Sequence, residues 1–165
     1  MGDMVNKMIY IGIDNGVTGS IGIIDGEAFL IHTPVKFELS YTKHAQNITR
    51  VDSIKLKEML DVYINSEVTI LIERPLVNPM MFKATLSAMR ALEATLIIIE
   101  LNKFPYRYID SKEWQKQLLP SGLKGPELKS ASLQIAQRIF PKIDYKGFKD
   151  GDGLLIAEYA RRSVK

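Results

Sequence analysis

The sequence predicts an α/β domain in which helices flank a five-stranded mixed sheet. Two observations support this class. Three short apolar segments come first, with Asp25 and Gly26 as a tight turn between the second and the third, so they are interpreted as three antiparallel strands. Two later apolar segments, VTILIE and PYRYID, alternate with segments of helical periodicity, which is typical of parallel strands joined by crossover helices.

The elements are predicted in a regular order along the chain. The first three strands are MIYIGID, SIGIID and AFLIHTP, and residues 35–51 are polar without a clear pattern and predict a loop. Asp52 is expected to cap a helix over DSIKLKEMLDVYINS. The segment MFKATLSAMRALEATLIIIELN predicts a long helix whose end, IIIE, also fits a strand. The remaining predicted helices are SKEWQKQLL, PELKSASLQIAQRIF and DGLLIAEYARRSV.

Length and composition limit the classes of protein to consider. A chain of 165 residues with 46% hydrophobic content predicts one domain over residues 1–165, with residues 1–7 as a flexible or artificially added N-terminus. The absence of an apolar run of about 20 residues and of a signal sequence predicts a soluble, cytoplasmic protein without a membrane partner. With no cysteine and two histidines, disulfides and thiolate zinc sites are excluded, so a metal would be held by oxygen.

Basic residues are concentrated in the second half of the chain. The net charge is +3, but residues 103–149 contain ten Lys or Arg against four Asp or Glu. A charged surface that only contacts solvent is one interpretation of this stretch. The other is a binding surface for a polyanion such as nucleic acid.

Four acidic residues stand at the ends of predicted elements. Asp14 closes the first strand, Glu73 closes the fourth, and Asp150 and Asp152 begin the last helix. If the two strands are parallel neighbours, their carboxyl ends meet at the edge where open α/β sheets bind ligands. Each acid alone also fits a turn, a strand end or a helix cap. Together they match the oxygen ligands that hold Mg²⁺ beside substrate phosphates, where it can activate water for phosphodiester hydrolysis.

Four motifs, IGIDNGVTGSIGII, LIERP, ALEA and DGLLIAEYAR, occur in this order over nearly the whole chain. In this arrangement the sequence resembles the RuvC family of Holliday-junction resolvases, particularly its phage-encoded members. The resemblance implies a ribonuclease H-like fold and a metal-dependent endonuclease acting on branched DNA, in the bacterial host cytoplasm if phage-encoded. The expected cofactor is one or two Mg²⁺ ions, which Mn²⁺ can replace. The expected assembly is a homodimer through the broad apolar helix at about residues 81–100.

The family's acidic positions can be assigned to this chain one at a time. The resemblance implies that Asp14, Glu73 and Asp152 are metal ligands and catalytic residues. Relatives commonly carry an Asp or His three residues before the last acid, and here that residue is Lys149. Asp150 is the nearest substitute. Since residues two apart on a helix do not share a face, Asp150 can join the ligands only if it precedes the helix.

The basic stretch and one aromatic residue complete the predicted site. Lys116 and Lys129 lie near the two lysines that relatives hold by the active site, which implies catalytic roles. Phe82, with the methionines before it, occupies the position where relatives carry a wedge that stacks into the opened junction, although core packing or a dimer contact fits Phe82 equally. The lysines expected to bind DNA are Lys112, Lys116, Lys124, Lys129 and Lys149.

The sequence also fits three other functions. The motif GIDNGVTGS also resembles the phosphate loop of actin-like kinases and ATPases, although a chain of this length can build only one of their two lobes; ATP binding would identify this class. A branched-DNA-binding protein with weak or no catalysis is made plausible by Lys149, and a nuclease assay would distinguish it. A nuclease that processes ribosomal RNA would be recognised by comparing RNA with branched DNA.

Overall fold

A five-stranded mixed sheet lies at the centre of the structure. The computed structural model describes residues 7–44 and 46–163, so the expectation for the N-terminus falls largely outside the described residues. The strand order is β3-β2-β1-β6-β7, in which β1, β2 and β3 are antiparallel neighbours and β1, β6 and β7 run parallel. The predicted sheet is therefore confirmed. The strands are β1 Ile9–Ile13, β2 Ser20–Asp25, β3 Glu27–His32, β4 Val35–Leu39, β5 Asn47–Val51, β6 Val68–Glu73 and β7 Tyr106–Ile109.

The loop predicted over residues 35–51 is wrong, because β4 and β5 form a separate antiparallel hairpin there. In β4, apolar Val35, Phe37 and Leu39 alternate with charged residues, which is the period of a strand. Glu38 also forms ion pairs, one with Arg50 across the hairpin and one with its neighbour Lys36 at 3.5 Å. The alternation was present in the sequence, but no tight-turn motif joins the two halves.

Each predicted helix is present, and the structure defines its limits. The helices are α1 Ser53–Asp61, α2 Phe82–Leu101, α3 Ser111–Leu118, α4 Gly125–Ile139 and α5 Asp152–Ser163. Asp52 caps α1 by accepting a hydrogen bond from the backbone N–H of Lys55 at 3.2 Å. The ambiguous IIIE segment is helical and belongs to α2. No helix among the described residues is long and apolar enough to cross a membrane.

Apolar side chains cover both faces of the sheet. The core on one face includes Ile11, Ile70 and Ile72 of the central strands together with buried residues of α1 and α2. The core on the other face contains Leu71 and buried residues of α3, α4 and α5. Complete burial of each large aliphatic side chain contributes about 1.5–3 kcal/mol. The central strands read as continuous apolar runs because helices cover both faces.

The backbone of α5 lies directly on the centre of the sheet. Gly12 and Gly22 are paired across β1 and β2, and a Cβ atom at Gly12 would lie 2.2 Å from the carbonyl oxygen of Gly153. A Cβ atom at Gly22 would lie 2.3 Å from the Cα atom of Leu154. Only glycine therefore permits this approach. The contact fixes the first turn of α5, which begins with Asp152, beside the end of β1.

The glycine contact predicts a specific loss of stability. We expect Gly22→Ala to lower the free energy of unfolding by about 3 kcal/mol, because the added methyl group meets backbone atoms that cannot move aside. Gly122→Ala is the matched control, since its methyl group would enter open space at φ +83° and should cost about 1 kcal/mol through backbone strain alone. Urea unfolding measures both. A Gly22→Ala protein as stable as the control would contradict the contact.

Candidate metal centre

The parallel pairing of β1 and β6 brings two carboxylates to one edge of the sheet. Ile13 pairs with Ile72, so the residues that follow them, Asp14 and Glu73, occupy equivalent positions on neighbouring strands. Buried apolar side chains precede both acids. The two strands thus end in adjacent charges at the carboxyl edge, as the sequence predicts.

The beginning of α5 adds two more acids to this edge. Carboxylate oxygens of Asp14, Asp150 and Asp152 lie within 4.8 Å of one another, an arrangement that could hold a metal ion. Asp150 precedes α5, and one of its oxygens accepts a hydrogen bond from the backbone N–H of Asp152 at 3.2 Å. Asp150 therefore lies before the helix, which is the position it needs in order to join Asp152 as a metal ligand.

Glu73 lies near this trio but has its own hydrogen-bond donors. Ser111 donates its hydroxyl to one carboxylate oxygen of Glu73 at 2.7 Å, and the indole N–H of Trp114 donates to the other at 2.8 Å. Ser132 plays a similar part for Asp152, to which it donates a hydrogen bond, while it accepts one from the backbone N–H of Gly151 at 3.1 Å. These three donors were not predicted, because nothing in their local sequence shows which element they face.

The structure separates the predicted lysines into two groups. The ammonium group of Lys129 on α4 donates to Asp150 at 2.8 Å. Burial lowers the pKa of Lys129, but the hydrogen bond to Asp150 and the neighbouring carboxylates outweigh this, so the pKa stands above its ordinary value. Lys129 is exposed, as are the other predicted lysines, but none of those others forms an ion pair with a described acidic residue: Lys112, Lys116, Lys124 and Lys149. The structure therefore brings Lys129, and not Lys116, into contact with the acids.

Phe82 begins α2 and is 69% exposed. It does not belong to either buried core among the described residues. Met80 and Met81 precede it in a 3₁₀ turn and are also exposed. The interpretation of Phe82 as a core residue of the single chain is therefore wrong, and the wedge and the dimer contact remain.

Burial and the neighbouring charges disfavour the charged forms of Asp14 and Asp152. Burial, followed by the charges of Asp152 and Glu73, raises the pKa of Asp14 well above its usual value. Burial and then the charge of Asp150 raise the pKa of Asp152 to about 7. A cation among them would relieve this cost. The donors are all carboxylate oxygens, which fit a hard divalent cation.

The raised pKa of Asp152 predicts that stability falls as pH rises. Its pKa changes from 3.8 to about 7 on folding, so the folded protein holds the Asp152 proton more tightly than the unfolded chain does. This contribution to the free energy of unfolding is complete below about pH 4 and is lost as pH rises to about 7. We expect thermal melting in a chelator to show lower stability at about pH 8 than at about pH 5. This difference should shrink in Asp152→Asn, which cannot ionise.

Glu67→Gln is the matched control for this pH dependence. Glu67 is exposed and lies just before β6, at the opposite end of that strand from Glu73. Its substitution should leave the difference between the two pH values as in the wild type. Equal pH dependence in Asp152→Asn and the wild type would contradict the raised pKa.

Comparison with solved structures identifies proteins that share the sheet and helix arrangement of this chain. No family model and no curated protein matches the sequence. The structure of Thermus thermophilus RuvC in complex with a Holliday junction substrate superposes with a TM-score of 0.61 at 17% identity, covering 94% of this chain and 96% of that one. A second Thermus thermophilus RuvC structure gives a TM-score of 0.58 at 18% identity, with 94% and 97% covered. This chain therefore has the ribonuclease H-like fold of RuvC, as its motifs predicted.

Proposed function

We propose that this protein is a structure-selective endonuclease that hydrolyses phosphodiester bonds in branched DNA, with Mg²⁺ as its cofactor. The observation that carries the proposal is the acidic cluster at the carboxyl edge of a RuvC-like fold. One of the similar RuvC structures contains a Holliday junction substrate, and four-way junctions are accordingly the first substrate class to test. Phage origin stays a prediction.

The acidic side chains are assigned to the cofactor. Asp14, Asp150, Asp152 and Glu73 would hold one or two Mg²⁺ ions, for which Mn²⁺ can substitute because the ligands are oxygen atoms. When bound, such ions lower the pKa of water and stabilise the leaving oxygen of a phosphodiester. The repulsion that raises the pKa values of Asp14 and Asp152 favours cation binding at the same position.

The remaining predicted residues are assigned to DNA. Lys129 is in contact with Asp150 and can neutralise charge that develops on the phosphate in the transition state. Phe82, with Met80 and Met81, presents exposed apolar side chains that can stack against unpaired bases. The exposed lysines would contact the phosphate backbone: Lys112, Lys116, Lys124 and Lys149.

Substitution of a predicted metal ligand should remove DNA cleavage but leave DNA binding largely intact. We expect Glu73→Gln and Asp152→Asn each to reduce cleavage of a labelled four-way junction by several orders of magnitude in Mg²⁺ or Mn²⁺. Binding should stay within about tenfold, since phosphate contacts come from other residues. Asp150→Asn should cost less than Asp152→Asn. Gel assays on junction, fork and duplex DNA measure both properties, with Glu67→Gln as the control.

Two outcomes of these assays would contradict the proposal. Cleavage by folded Glu73→Gln or Asp152→Asn at the wild-type rate would exclude their role as metal ligands. Junction binding without cleavage by the wild type in both metals would show a branched-DNA-binding protein that lacks catalysis. The contact between Lys129 and Asp150, which places an ammonium group where a cation is expected, favours this second candidate.

We also propose that the protein is a homodimer through α2. The inner face of this helix is buried on the sheet through Ala91, Thr95 and Ile98. Its outer face also carries exposed apolar side chains, which are Phe82, Leu86, Met89 and Ile97. An apolar stripe on each face is typical of a helix with two packing partners. A two-fold axis at α2 would present two active sites to a symmetric junction.

Association through α2 predicts that a charge in the exposed apolar stripe on its outer face disrupts the dimer. Leu86→Asp or Met89→Asp should convert a dimer to a monomer at micromolar concentration, because a carboxylate cannot be buried unpaired at the contact. Ile54→Asp is the matched control, since Ile54 is an exposed apolar residue on α1, outside the stripe. Sedimentation velocity measures the mass. A monomeric wild type, with and without DNA, would contradict the proposed dimer.

A further inference from the structure

Glu73 is bound through both carboxylate oxygens by donors from one helix. Ser111 and Trp114 are three residues apart, so they lie on the same side of the first turns of α3. The hydroxyl of Ser111 and the indole N–H of Trp114 donate to different oxygens of Glu73, at 2.7 Å and 2.8 Å. Two donors at fixed positions define the plane of the carboxylate as well as its location.

The two donors are themselves held in place. The Trp114 side chain is fully buried and belongs to the apolar cluster that also contains Leu71 and Leu119. The start of α3 is tied to the end of β6 by an ion pair between Arg74 and Asp110 at 3.1 Å. The indole ring therefore cannot turn away without opening the core.

The hydrogen bonds from Ser111 and Trp114 hold Glu73 beside other carboxylates, which is a role in addition to packing. Glu73 lies close enough to Asp14 and Asp152 for its charge to raise the pKa of both carboxyl groups, so the position of the Glu73 carboxylate matters to the whole cluster. Each oxygen of Glu73 keeps a second lone pair after it accepts one hydrogen bond. We propose that Ser111 and Trp114 are positioning residues that fix the Glu73 carboxylate for divalent-cation binding, which deepens and rests on the proposed function.

The affinity for Mn²⁺ without DNA tests this proposal directly. Electron paramagnetic resonance measures free Mn²⁺ and hence binding, independently of cleavage. Because outer hydrogen-bond partners typically contribute 10–100-fold to metal affinity, we expect Trp114→Phe and Ser111→Ala each to weaken Mn²⁺ binding by about tenfold or more. The Mg²⁺ concentration for half-maximal cleavage should rise in parallel, whereas KM for the junction stays near the wild-type value. Ser111→Thr keeps the hydroxyl and should restore the affinity.

Leu119→Ala is the control that distinguishes the loss of a hydrogen bond to Glu73 from the loss of apolar packing. Leu119 lies in the same apolar cluster as Trp114 but just after α3, and its truncation should lower the melting temperature without changing Mn²⁺ affinity. If Trp114→Phe does not fold, Ser111→Ala decides the question, since Ser111 is only partly buried. Wild-type Mn²⁺ affinity in folded Ser111→Ala would overturn the proposal. A wild type that binds Mn²⁺ but cleaves no branched DNA would overturn the proposed function and leave the positioning role intact.

Discussion

Repulsion among four carboxylates at one edge of the sheet is the constraint on which the site depends. The parallel register of β1 and β6 places Asp14 beside Glu73, and the close packing of α5 on Gly12 and Gly22 adds Asp152. Burial in this position disfavours the charged forms of Asp14 and Asp152 and raises the pKa of both. A fold selected for stability alone would not gather these acids, so their convergence indicates a functional site.

Two helices supply the donors that offset this repulsion, and they do so in the same way. On α3, Ser111 and Trp114 bind Glu73, and on α4, Lys129 and Ser132 bind Asp150 and Asp152. In both helices the two donors are three residues apart and share one face. Both helices pack on the same side of the sheet as α5. The sheet thus determines where Asp14 and Glu73 lie, and the donors on α3 and α4 orient the carboxylates of Glu73, Asp150 and Asp152.

The acids could be predicted from the sequence, whereas their donors could not. A charge at the end of a buried apolar run, as at Asp14 and Glu73, is visible locally, and the order of strands and helices implies that the two runs are parallel. The bond between Trp114 and Glu73 joins residues 41 positions apart and depends on how α3 is rotated against the sheet. The hairpin at residues 35–51 was missed for a different reason, since its alternating pattern lacks a turn motif between the strands.

Lys149 and Asp150 show how the start of α5 decides which side chain reaches the acidic cluster. Lys149 is exposed, and the next residue, Asp150, is 9% exposed and directed to Asp14 and Asp152. This is possible because α5 begins only at Asp152, so the chain before it is not restricted to helical spacing. The hydrogen bond from the backbone N–H of Asp152 and the ion pair with Lys129 then hold the Asp150 carboxylate in the cluster. The start of the helix, more than the identity of any single position before it, therefore determines which side chain completes the acidic cluster.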